Sequence, residues 1–215
     1  MKFHAVLFDL DGTLLDTIED LTDSMNAALG EMGFPPRTVQ ECKFLVGDGR
    51  EAYARRALPD GHRDRPTVAR CVELMTAHYR HNWANKTRPY EGAEDLLSEL
   101  GKAGVKLAVL SNKYDQTVRD AVGRYFGGRF DVVRGERDGV PHKPDPAAAL
   151  EIASELGVPP ARFLYLGDTN TDMRTAVAAG MYPVGVLWGF RPAEELLASG
   201  ARTLITRPAD LLALL

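Results

Sequence analysis

The chain has 215 residues, 45% of them hydrophobic and 26% charged, with a formal net charge of −4; this is ordinary globular composition, long enough to bury a sizeable core without staples. Lys and Arg are scattered and form no block, which argues against a nucleic-acid-binding surface. The two cysteines, Cys42 and Cys71, fit no disulfide, redox or metal spacing; no apolar stretch approaches the roughly 18 residues that span a bilayer, and Met1-Lys2-Phe3-His4 opens no signal-peptide h-region, so a soluble cytoplasmic protein without a membrane partner is expected.

In chain order, Ala5–Phe8 is a continuous apolar run and predicts a buried strand. From Asp16 to Lys86 no strand pattern follows. Ile18–Met32 sets Ile18, Leu21, Met25, Ala28, Leu29 and Met32 at helical spacing, and Arg50–Leu58 and Pro66–Trp83 also read as helices. That interval predicts an all-α domain over residues 16–85, inserted into an α/β domain made of residues 1–15 and 86–215. Two chain crossings join them and allow hinge motion. Helices and strands then alternate: helix 93–103, strand 105–110, helix 116–125, strand 130–133, helix 146–156, strand 163–166, helix 172–179, strand 183–187 and a short edge candidate at 203–205. The strands are apolar throughout, as in a parallel sheet covered on both faces. Gly104, Gly157 and Gly180 follow helices at the expected C-terminal position. The alternation predicts an α/β, Rossmann-like parallel sheet.

Ligands of such a sheet bind beyond the carboxyl ends of its strands. After the first strand comes Asp9-Leu10-Asp11-Gly12-Thr13, after the second Ser111-Asn112-Lys113, between the third strand and its helix His142-Lys143-Pro144-Asp145, and after the fourth strand Gly167-Asp168, with Asp172 four residues on. Four carboxylates in one cleft repel one another and raise their own pKa values. A divalent cation relieves that, and an all-oxygen set selects Mg²⁺. Asp9 and Asp168 are the expected ligands, with Asp172 returned to the same face by its spacing and favoured by a helix N-terminus. Ser111, with backbone N–H groups nearby, can hold phosphate oxygens, and Lys143 can neutralise a phosphoryl group and a carboxylate nucleophile. Two residues apart at a strand end, Asp9 and Asp11 can reach one reacting centre. One can attack as a nucleophile, and the other can serve the leaving oxygen as acid and water as base. Gly12 permits the tight bend between them.

Asp9-Leu10-Asp11-Gly12-Thr13, Ser111-Asn112, Lys143-Pro144 and Gly167-Asp168 with Asp172, in this order, resemble the four motifs of the haloacid dehalogenase superfamily of phosphohydrolases. The resemblance implies a Rossmann-like core with an inserted helical cap, here residues 16–85. It implies Asp9 as nucleophile, Asp11 as acid and base, and Mg²⁺ held by Asp9, the Asp11 carbonyl and Asp168. It also implies phosphate or substrate contacts at Gly12, Thr13, Ser111 and Asn112. An aspartate at position 11 favours the phosphatase and phosphomutase branches over the dehalogenases.

Leu45-Val46-Gly47-Asp48-Gly49 with Arg56-Ala57-Leu58, Ser111-Asn112-Lys113, and Trp188-Gly189-Phe190-Arg191 with Ala193-Glu194-Glu195-Leu196 further resemble the phosphoglycolate phosphatase branch. Its substrate carries a carboxylate beside the phosphate ester, and Gly47, Gly49 and Arg50 are the expected contacts to it, with Lys43 and Arg56 as alternatives. The expectation is therefore a Mg²⁺-dependent hydrolase of a small phosphorylated metabolite, 2-phosphoglycolate foremost, acting as a monomer or homodimer. A phosphatase of a sugar phosphate, pyrophosphate or nucleotide, a phosphomutase, and a non-catalytic phosphometabolite-binding regulator are the rival readings.

Overall fold

A computed structural model describes residues 2–215 of the chain. Its elements are β1 (Ala5–Phe8), β2 (Leu15–Asp16), α1 (Ile18–Glu31), α2 (Val39–Leu45), α3 (Arg50–Ala57), α4 (Arg65–Asn82), β3 (Arg88–Pro89), α5 (Ala93–Lys102), β4 (Lys106–Tyr114), α6 (Asp115–Phe126), β5 (Val132–Glu136), α7 (Ala147–Leu156), β6 (Phe163–Gly167), α8 (Asn170–Ala178), β7 (Tyr182–Val186), α9 (Ala193–Ala198) and β8 (Thr203–Ile205). They form two compact units, Met1–Leu15 with Pro89–Leu215, and Asp16–Arg88.

The larger unit is built on a six-stranded sheet of order β5-β4-β1-β6-β7-β8, parallel at every pairing. β1 lies at its middle, and Ala5, Val6, Leu7 and Phe8 are all buried because helices cover both faces. On one face Ala5, Leu7, Ala108, Leu110, Phe163 and Tyr165 join Ala148, Ala149 and Ile152 of α7 and Ala176 of α8 in one apolar cluster. On the other, Phe8 meets Phe130 edge-on, and Phe130 meets Phe126 of α6 in the same way. This is the Rossmann-like parallel sheet that the alternation of elements predicts.

Two strands differ from expectation. The third predicted strand, 130–133, is observed as Val132–Glu136; Phe130 lies just before it and packs its ring against Phe8 and Phe126. The second runs on to Tyr114, so Ser111, Asn112 and Lys113 belong to the strand and not to a loop after it. Its pairing with β5 is regular to Leu110, then shifts register before Tyr114. Such an irregularity bends a strand and re-aims its side chains.

The helical unit packs α1 on α4, with α2 and α3 beside them. Met25, Leu29, Cys42, Tyr53, Leu58, Cys71 and Met75 fill its interior. α2 has no counterpart among the sequence-based expectations. Thr38 and Glu41 start it with a reciprocal capping box. Buried Asp20 accepts the backbone N–H groups of Lys86 and Thr87 and the Thr87 hydroxyl. That carboxylate ties the first turn of α1 to the chain at the end of the unit.

Candidate active site at the strand ends

The turn after β1 is organised by the carbonyl of Leu10, which accepts the N–H groups of Thr13, Leu14 and Leu15. Asp9 continues the ladder by donating its N–H to Leu166 O. Gly12 takes φ +87, and a Cβ there would stand 2.2 Å from Asp168 Oδ2. Glycine is thus required twice, for the backbone conformation and for the approach of Asp168.

Lys143 is the hub. Its buried ammonium donates to Asp9 Oδ1 at 2.9 Å, to Asp172 Oδ1 at 2.7 Å and to Leu110 O at 3.1 Å. Its backbone is held in turn by Asn112, whose carboxamide accepts from Lys143 N at 2.9 Å and donates to Lys143 O at 3.1 Å. Asn112 was expected to contact phosphate; its side chain is occupied in fixing the lysine. Asp172 also divides its oxygens. Oδ1 takes Lys143, while Oδ2 takes the Thr169 hydroxyl at 2.6 Å and the Thr169 N–H at 3.1 Å, closing a capping box on α8. Asp9 Oδ2, by contrast, receives no hydrogen bond from the described residues.

Asp168 is fully buried. Its Oδ1 accepts from the Thr13 hydroxyl at 3.2 Å and its Oδ2 from Phe190 N at 2.8 Å. The Thr13 hydroxyl, expected at the substrate, is therefore seen on Asp168. Phe190 lies in the loop after β7, where Trp188 Nε1 also donates to Thr13 O at 3.0 Å. A Cβ on Gly189 would fall 2.2 Å from Asp168 Cβ. This loop, read in the sequence only as part of a resemblance, walls the acidic cluster. Looking past a fifth strand end would have found it.

Ser111 is buried on the tail of β4, with its Oγ accepting from Lys113 N at 3.3 Å. Asp11 is not in contact with Lys143; both its oxygens accept from Lys113 Nζ, at 2.7 and 2.9 Å. Sequence reasoning gave Lys113 no role. The structure thus brings together Asp9, Asp168, Asp172 and Lys143, with Gly12, Thr13 and Asn112 bonded to or packed on members of that group. Gly47, Gly49 and Arg50 lie in the helical unit. Gly47 and Gly49 both have positive φ, Gly49 caps α3, and Arg50 is its first residue.

The electrostatics follow from this crowding. Burial, then the neighbouring Asp172 charge, raises the Asp9 carboxyl from its usual 3.8 to about 7 despite the pull of Lys143. Burial and the charges of Asp9 and Asp172 hold Asp168 well above the carboxylate range. Burial works against the charge of Lys143, but Asp172 and Asp9 outweigh it and hold its pKa well above the usual lysine value. One oxygen from each of Asp9, Asp168 and Asp172 lies within 4.8 Å of the others. Carboxylates buried this closely, and protonated upward for want of compensation, fit a small hard cation. The three can hold a metal ion.

Residues 6–186 match the haloacid dehalogenase-like hydrolase family. The chain belongs to that family. It is 34% identical to a phosphoglycolate phosphatase of Pseudomonas putida, over 99% of this chain and 78% of the relative. It is 31% identical to an N-acetylmuramic acid 6-phosphate phosphatase of Pseudomonas aeruginosa, over 99% of this chain and 94% of the relative. Among solved structures, CbbY of Rhodobacter sphaeroides in complex with phosphate superposes with a TM-score of 0.80 at 27% identity, covering 97% of this chain and 96% of that one. These likenesses place the chain on the phosphatase side of the family.

Proposed function

We propose that the protein is a Mg²⁺-dependent phosphatase that cleaves a small phosphomonoester, 2-phosphoglycolate foremost, through a phosphoryl group carried on Asp9. The observation that carries the reading is the state of Asp9: one oxygen is fixed by Lys143, the other has no donor among the described residues, and Asp168 stands in the same acidic cluster. A carboxylate held in this way is a nucleophile in waiting.

Asp9 Oδ2 attacks phosphorus as the bond from phosphorus to the ester oxygen breaks, and Asp11 gives its proton to the departing alkoxide. Asp11 then takes a proton from water as that water attacks phosphorus, the bond to Asp9 breaks and phosphate leaves. Asp9, Asp168 and the Asp11 carbonyl, with Asp172 in the same cluster, are the groups that would hold Mg²⁺, and the ion would supply charge neutralisation at the phosphoryl oxygens. Lys143 keeps Asp9 oriented and offsets its charge. Asp172 orients Lys143, and Ser111 with the nearby N–H groups binds phosphate oxygens. Asn112 acts through Lys143, as a positioning residue. The helical unit, Asp16–Arg88, serves as the cap, with Gly47, Gly49 and Arg50 as its substrate-facing residues. The partner is one small phosphorylated metabolite.

The substrate rests on the named relatives, and a phosphorylated amino-sugar acid is the second reading because of the 31% identical relative. Ranking 2-phosphoglycolate, N-acetylmuramic acid 6-phosphate, a hexose phosphate, pyrophosphate and a nucleotide by kcat/KM with Mg²⁺ tests it. 2-Phosphoglycolate is expected first. A clear lead for any other ester replaces it.

A further inference from the structure

Lys113 stands apart from the phosphate-handling residues, yet it is the cation bonded to the second aspartate of the opening motif. Its ammonium meets both Asp11 oxygens, at 2.7 and 2.9 Å, and the two side chains are only 11% and 19% exposed. A charge pair so withdrawn from water is screened far less than one on the surface. Its backbone is set from two sides. Lys113 N donates to Ser111 Oγ, and the β5 backbone comes so close at Gly135 that a Cβ there would lie 2.5 Å from Lys113 O. The register shift in β4 between Leu110 and Tyr114 falls on this stretch, where an irregular strand can turn a side chain off its regular face.

We infer that Lys113 selects substrates carrying a carboxylate on the carbon that bears the phosphate ester, by binding that carboxylate beside the leaving oxygen. The inference rests on Asp11 being the group that faces the leaving oxygen. In its planar conformer, an α-carboxylate lies at hydrogen-bond range from its own ester oxygen, so a group that bonds the ester oxygen also borders the carboxylate. The cation already on Asp11 is therefore next to that carboxylate. An ammonium is a compact charge with three donors, and when Asp11 carries the proton it gives to the alkoxide, the ammonium can turn to the substrate's carboxylate while keeping a hydrogen bond to Asp11. Lys143 is committed elsewhere, to Asp9, Asp172 and Leu110 O, and Arg191 pairs with Glu195. Selection for the acid group then begins in the α/β unit, on the same strand that carries Ser111.

The test measures kcat/KM for 2-phosphoglycolate and for 2-hydroxyethyl phosphate, a neutral ester of the same size whose leaving alcohol is similar. The wild type is expected to favour 2-phosphoglycolate. Lys113→Met should lower that preference by about tenfold or more, mainly through KM for the acid substrate, and Lys113→Arg should keep most of it. A preference unchanged in Lys113→Met, an equal loss on both esters, or a wild type without preference overturns the inference. Asp11→Asn separates the reading beneath it. Loss of kcat/KM, which reports only the steps up to departure of the alcohol, on alkyl esters but not on 4-nitrophenyl phosphate, whose leaving group needs no proton, upholds Asp11 as the acid whatever Lys113 does. Equal loss of kcat/KM on both kinds of ester sinks the role of Asp11 as acid instead.

Discussion

At the strand ends of the α/β unit, one lysine ammonium serves acceptors from three separate elements: Asp9 after β1, Leu110 on β4 and Asp172 on α8. In the helical unit three arginines pair with near neighbours in the chain, Arg55 with Glu51, Arg56 with Asp48 and Arg63 with Asp60, while Arg70 pairs with Glu73 on its own helix and with Glu31 on α1. The first arrangement is buried, so each charge depends on the others for its compensation. The second is mostly exposed and screened by water and salt. Both units carry many charges, but only one has made them interdependent, and interdependence is what a charged reacting centre requires.

The contrast can be broken first at Lys143. Lys143→Met leaves Asp9 and Asp172 buried against each other, and should cost about 3–5 kcal/mol of folding stability in metal-free protein as well as about a hundredfold or more in kcat. Urea unfolding and steady-state kinetics read the two effects. Unchanged stability would show that the network is not coupled.

The same crowding gives stability a pH dependence. Asp9 titrates near 7 in the folded chain against 3.8 as an ordinary carboxylate, so between those values the folded state holds a proton that the unfolded state has lost. Stability of metal-free protein should therefore fall as pH rises from about 4 to about 7. Mg²⁺ should raise the melting temperature more at pH 8 than at pH 5. Equal shifts at both pH values would remove the acidic cluster as the site of the ion.

A smaller effect is expected at Asn112, whose carboxamide holds the Lys143 backbone. Asn112→Ala should lower kcat about tenfold with KM little changed, and should cost almost nothing further in a Lys143→Met background. Full additivity would mean that Asn112 acts by some other route. Least should come from the helical unit. Arg55→Ala or Arg56→Ala should shift stability by no more than about 1 kcal/mol. Arg50→Ala should raise KM for 2-phosphoglycolate more than for a neutral phosphate ester, and an equal rise for both would remove Arg50 from substrate selection.

The positions of Asp9, Lys143 and Asp168 relative to the sheet were legible in the sequence for a physical reason. Asp9 and Asp168 follow short continuous apolar runs within a strand–helix alternation, which reads as a buried parallel sheet whose ligands bind at one edge. The side-chain directions of Asn112 and Lys113 were not legible. They lie where β4 slips against β5, and a slip depends on a partner strand, not on the local pattern. α2 was missed because its seven residues are too few to show a helical period, although Thr38 and Glu41 announce its start. The Trp188–Arg191 loop follows β7 as the other site segments follow their strands. Its contact with Asp168 is made by a backbone N–H, which no residue type reveals.

Whether Asp9 carries the phosphoryl group is decided by acid-quenching the enzyme during turnover of ³²P-labelled substrate with Mg²⁺ and mapping the label to a peptide. Label is expected on the peptide containing Asp9, lost in Asp9→Asn together with turnover, by a factor of at least about ten thousand. Turnover without labelled protein, in an Asp9→Asn enzyme of near-normal kcat, would contradict this role of Asp9.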